Sequence, residues 1–114
     1  MKIILLFVLL FPLASESATL KGAGTGSCGE WLQDRKENYG AKLHWLQGFL
    51  SAYNYYAYSG NNTQGIFATA DHNAIAAWMD NYCRENPLNS PADGAIELIK
   101  ELEGRLKKSE ANGP

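Results

Sequence analysis

Asp71-His72-Asn73-Ala74-Ile75-Ala76-Ala77-Trp78-Met79-Asp80-Asn81-Tyr82-Cys83 is the stretch on which the fold turns. Asp71 can accept hydrogen bonds from the free amides of a helix start. Ile75, Trp78, Met79, Tyr82 and Cys83 then recur three and four residues apart, which places them on one face of a helix. The helix has to stop near Glu85, because Asn86 precedes Pro87 and is driven out of the α region. The same stretch ends on a cysteine, so the apolar face of this third helix also carries a point of covalent attachment.

Toward the carboxyl end, Ser90 reads as the cap of a fourth helix, with Pro91 at its first position and Asp93 in its first turn. Ile96, Ile99, Leu102 and Leu106 form its apolar stripe, Lys107 and Lys108 suit its carboxyl end, and residues 109–114 are expected to fray. Toward the amino end, Ala41 to Tyr56 reads as the second helix. Leu43, Leu46, Leu50 and Tyr53 repeat at helical spacing, and Trp45, Phe49 and Tyr56 widen the stripe. Gly48, in its middle, costs about 1 kcal/mol against alanine, and its presence predicts close approach of another backbone. Before it, Ser27 and Glu30 make a capping box for a short first helix that Asn38-Tyr39-Gly40 ends. Residues 18–26 are glycine-rich and read as a flexible lead-in, and residues 58–69, centred on Ser59-Gly60-Asn61-Asn62, read as a loop. Asn61-Asn62-Thr63 fits the N-glycosylation pattern and is taken as incidental. No segment alternates with the period of a strand. The expected fold is all-α, one small four-helix domain over residues 27–108.

The first residues read as an export signal. Lys2 is followed by an apolar run of about 11 residues, too short for a bilayer span of about 20, and then by the small residues of Ala14-Ser15-Glu16-Ser17-Ala18. Cleavage is expected after residue 17, leaving no membrane attachment. Cys28 and Cys83 are the only cysteines, and in an exported chain such a pair reads as a disulfide. Closing a loop of about 55 residues stabilises a domain by roughly 4 kcal/mol in the chain-entropy model.

With 10 Lys and Arg against 12 Asp and Glu, the net charge of −2 gives no basic surface for nucleic acid or a membrane. No triad, metalloprotease, P-loop or EF-hand spacing occurs, so neither an enzyme nor a cofactor is expected. Of the two histidines, His72 should face solvent at a helix start, and His44, between Leu43 and Trp45, reads as a structural histidine. Tyr53 and Tyr56 share one helix face, Tyr55 and Tyr58 another. Two of the four are expected in the core and two along the loop or a dimer contact. Trp45, Phe49, Tyr53, Tyr55 and Tyr58 form the candidate protein-binding surface, because Tyr and Trp are enriched at interface centres.

Three blocks in order, Cys28-Gly29-Glu30-Trp31-Leu32, Trp45-Leu46-Gln47-Gly48-Phe49 and Cys83-Arg84-Glu85-Asn86-Pro87, followed by an amphipathic helix, resemble the HdeA/HdeB-type periplasmic acid-stress proteins. The aromatic-rich segment and loop over residues 53–69 lie outside that pattern, as does the tail after Leu102. The resemblance implies a helical fold tied by Cys28 and Cys83 in the periplasm, a homodimer that loosens in acid, and shielding of unfolding protein clients. A looser similarity, in size, export and helix content, is to immunity proteins of the Tai/Rap type, which bind one cell-wall hydrolase.

Overall fold

The computed structural model describes residues 19–113. The expected export signal and its cleavage point lie outside them. Among the described residues there are four α-helices and no strand: α1 (Cys28–Lys36), α2 (Ala41–Tyr56), α3 (His72–Glu85) and α4 (Pro91–Ala111).

The local chemistry of the chain explains where the helices start and stop. The Ser27 hydroxyl accepts from the Glu30 amide at 3.1 Å and the Glu30 carboxylate accepts from the Ser27 amide at 3.2 Å, the expected capping box. Ser90 and Asp93 repeat that arrangement at the head of α4, at 3.2 and 2.9 Å, with aspartate in the role glutamate usually fills. Asp71 accepts from the Ala74 amide at 2.8 Å. Asn38 closes α1 at a φ of 58°, a left-handed conformation that asparagine tolerates better than most residues. Asn86 ends α3 immediately before Pro87.

The four helices bury a common core in which Trp31, Leu46, Leu50, Met79, Leu98 and Leu102 are almost wholly enclosed. Cys28 and Cys83 are joined, with their Cα atoms 4.8 Å apart, and both are fully buried in that core. The turn between α3 and α4 reaches back to the same place, since the Cys28 amide donates to the Asn89 carbonyl at 2.7 Å.

Packing overrules several expectations. Residues 58–69 are not simply a polar loop: Gly65–Thr69 form a short 3-10 helix, and Ile66 is completely buried. Asn54 on α2 fixes that segment, its side-chain oxygen accepting from the Ile66 amide at 3.0 Å and its amide group donating to the Gln64 carbonyl at 3.2 Å. Gly65 takes a φ of +57° with Asn54 pressed against it, which explains a glycine there. The glycine-rich lead-in is likewise a packed element, with Ala23–Thr25 in a 3-10 turn and Gly24 buried. α4 continues through Ala111, past the point where fraying is expected.

Gly48 is exposed and a Cβ there would meet open space, so the close approach predicted for it does not exist. Gly94 on α4 is the residue that permits one. A Cβ at Gly94 would lie 2.7 Å from both Met79 Sδ and the Tyr82 ring, so its absence lets α4 close onto α3. The α4 stripe is also rotated. Ala95, Leu98, Ile99, Leu102 and Leu106 are buried while Ile96 is 45% exposed.

Candidate protein-binding surface

α2 presents its aromatic residues along two directions. Leu46 and Leu50 point into the core, while Leu43, Trp45, Phe49 and Tyr53 are half-buried along its edge and pack against the core cluster. Trp45 and Phe49 stack with ring centroids 5.2 Å apart and planes 20° apart. The shelf they make is not bare. The Trp45 indole N–H donates to the Lys21 carbonyl at 2.9 Å, and the 3-10 turn lies across the ring. A Cβ at Gly22 would fall 2.7 Å from the indole, and one at Gly24 would overlap it, so only glycine lets the backbone lie this close.

The tyrosines divide differently from the helical-face pairing. Tyr53 and Tyr58 are half-buried and pack against the core, while Tyr55 and Tyr56 are 82% and 85% exposed. Two in and two out is the expected count, but Tyr56, the last residue of α2, stands exposed and does not join the α2 stripe. Tyr55 and Tyr56 meet edge to face with centroids 4.8 Å apart. The Tyr58 hydroxyl accepts from the Asn62 amide at 3.2 Å, bracing the loop. Of the five residues of the candidate surface, then, only Tyr55 stands free in solvent.

The Tyr53 hydroxyl donates to the Glu103 carboxylate on α4. That hydrogen bond, then burial and the charge of Glu103, raise the Tyr53 phenol above its ordinary pKa of 10.0. Two further side-chain contacts tie α2 to its neighbours. Lys42 reaches Asp34 of α1 at 2.6 Å, with both side chains largely shielded from water. Gln47 meets Nδ1 of His72 at the head of α3. His72 is exposed as expected; His44 is exposed too, not a structural histidine in the core.

A second cluster went unread in the sequence. Asp80 accepts from the buried Trp31 indole N–H at 2.8 Å and from Arg35 Nε at 3.0 Å and its terminal nitrogen at 3.3 Å. Trp31 lies one turn after Cys28, Arg35 one turn further, and Asp80 one turn before Cys83. Once the disulfide is assumed, those offsets place the three side chains on facing helix surfaces, and that register is the signal that could have found them.

A half-open groove of about 140 Å³ lies between Thr69, Ala74, Trp78, Leu98 and Leu102. Among the described residues no three His, Cys, Asp or Glu come together as a metal would need, and no helix is long and apolar enough to cross a membrane. Compared with family models, curated proteins and solved structures, the chain finds no significant match in any of the three.

Proposed function

We propose that this chain is an exported, non-enzymatic protein-binding domain of the periplasm that opens in acid and shields unfolding proteins, the activity implied by its resemblance to HdeA/HdeB-type proteins. One observation carries the reading. The side-chain bridges from α2 to the other α-helices run to ionisable groups: Asp34 on α1, His72 on α3 and Glu103 on α4. In strong acid, carboxylates as a class are protonated and imidazoles charged. A neutral carboxyl group no longer forms an ion pair with Lys42. Lys42 would then be left as a largely shielded charge without a partner, an unfavourable state. α1 stays joined to α3 by the disulfide, and α3 meets α4 through apolar contacts around Gly94, which acid does not titrate. Acid therefore selects α2 for release, and the apolar side chains it uncovers, Leu46 and Leu50 first, are what a client would bind. A disulfide of this kind persists in an oxidising compartment, which agrees with export.

The test uses the mature protein at about pH 3. The reading expects hydrophobic-dye binding, loss of near-UV circular dichroism with helical far-UV signal retained, and protection of several unrelated proteins from aggregation. A protein that stays rigid and protects nothing at that pH is not an acid-stress chaperone.

A second reading has its own support. The edge-to-face pair Tyr55–Tyr56 stands exposed at the end of a helix in the closed state, and rigid exposed tyrosines are typical centres of single-partner interfaces. That favours an immunity protein of the Tai/Rap type, which would bind one cell-wall hydrolase tightly at pH 7 and lose it on Tyr55→Ala or Tyr56→Ala.

A further inference from the structure

We infer that the Trp45–Phe49 shelf is a binding surface for a glycine-rich turn of polypeptide, and that residues 21–25 of the chain occupy it in cis as a built-in competitor. The inference rests on the proposed protein-binding role, but not on acid opening.

What sits on the shelf shows what it accepts. The chain over Trp45 is backbone with almost no side chain: Gly22, at a φ of 108°, and Gly24 face the ring, and the carbonyl of Lys21 takes the indole N–H. The turn holds its own shape, since both the amide and the hydroxyl of Thr25 donate to the Gly22 carbonyl, at 3.1 and 2.8 Å. Gly24 is buried, with the Trp45 ring against it and α4 also packed against the turn. An indole stacked on a phenyl ring, with its N–H aimed outward, recognises one carbonyl and a turn of main chain that carries no side chain over the ring. The occupant that competes with the strap is therefore a glycine-rich, turn-forming segment of an unfolded client. The shelf needs a cover, because left bare Trp45 and Phe49 would be an adhesive apolar patch at neutral pH.

The strap can be lifted without touching the core. Gly24→Leu in the full mature chain places a side chain where the indole ring lies, and Gly22→Val does so at the other end while also straining a positive φ. Gly48→Ala, which meets open space, is the control. With far-UV circular dichroism unchanged, both strap variants should bind hydrophobic dye at pH 7 several-fold more than wild type. Their tryptophan emission should shift to the red and become more quenchable by iodide, a change that Trp45→Phe in the same background abolishes. A synthetic peptide of residues 19–27 should then suppress the dye signal of Gly24→Leu. It should do so at millimolar concentration, because a short tether supplies effective concentrations of about that order, while the same peptide carrying leucine in place of Gly24 should not. Unchanged dye binding and quenching in both strap variants, or no suppression by the glycine peptide, overturns the inference. If the wild type protects clients in acid while the strap variants stay silent at pH 7, only the strap inference falls. Strap variants that behave as described, beside a wild type inert in acid, remove only the acid reading.

Discussion

α1 and α2 are neighbours in sequence but are attached to the molecule by opposite means. α1 is held by a covalent bond, a buried indole and a bidentate arginine, all within two turns: Cys28 to Cys83, Trp31 to Asp80 and Arg35 to Asp80. α2 carries more apolar surface, and its side-chain bridges to the other α-helices all run to ionisable groups, Asp34, His72 and Glu103. A short helix with a weak stripe, such as α1, buries too little to dock on its own, so it is pinned. A long helix with a strong stripe docks by burial, and its polar contacts remain available as points of control. The difference teaches that the covalent clamp protects the half of the fold that hydrophobic burial cannot secure.

The largest effect should come from removing the pin. Cys83→Ser should lower unfolding free energy in urea by about 4 kcal/mol. A loss below about 1 kcal/mol would mean that α1 docks without it. Asp80→Ala comes next, because Trp31 is fully buried and its N–H would be left without a partner, a loss of about 1–3 kcal/mol. Asp80→Asn keeps an acceptor and should lose less; equal losses would show that the arginine pair, not the indole, is what matters. Away from both helices, Gly94→Ala should cost about 1–3 kcal/mol by overpacking against Met79 and Tyr82. Gly48→Ala, facing solvent on α2, should gain up to about 1 kcal/mol instead.

The smallest effect appears in alkali. The Tyr53 phenol has its folded-state pKa raised, first by the hydrogen bond to Glu103, so the folded state holds the proton more tightly than the unfolded chain. The stabilisation is complete below the ordinary phenol pKa of about 10 and is lost as pH rises through the folded value. Tyr53→Phe should flatten that alkaline decline and leave stability at pH 7 slightly lower. An unchanged alkaline slope would mean that the Tyr53–Glu103 contact does not hold α2.

Much of this architecture was legible before any coordinates. The helix starts were, because Ser27 with Glu30, Asp71, and Ser90 with Pro91 satisfy amides of their own turn, a purely local matter. The disulfide was, because two cysteines leave one pairing. Contacts between elements were not. Periodicity shows that a helix has an apolar face, but not where along that arc its neighbour lies, so Ile96 was placed inward and Leu98 overlooked. Two glycines inside helices look alike in sequence, and only the packing of α4 on α3 makes Gly94 indispensable and Gly48 incidental. Ile66, in the short stretch Gly65-Ile66-Phe67-Ala68, has no helical or strand period to mark it as core. The candidate surface was half legible: all its aromatic residues but Tyr58 stand on α2, but the strap that covers Trp45 reads in sequence as a spacer, since glycine serves equally for freedom and for close contact.

The central claim is that acid frees α2 while α1 and α3 remain joined. Residue-resolved hydrogen exchange of the mature, disulfide-intact protein, compared at about pH 3 and pH 7 after correction for intrinsic rates, tests it most directly. The account predicts that protection over Leu46 to Tyr53 collapses at low pH while the amides around Trp31 and Met79 to Cys83 keep theirs. Protection lost evenly across all four helices, or lost in α1 and α3 before α2, would contradict it.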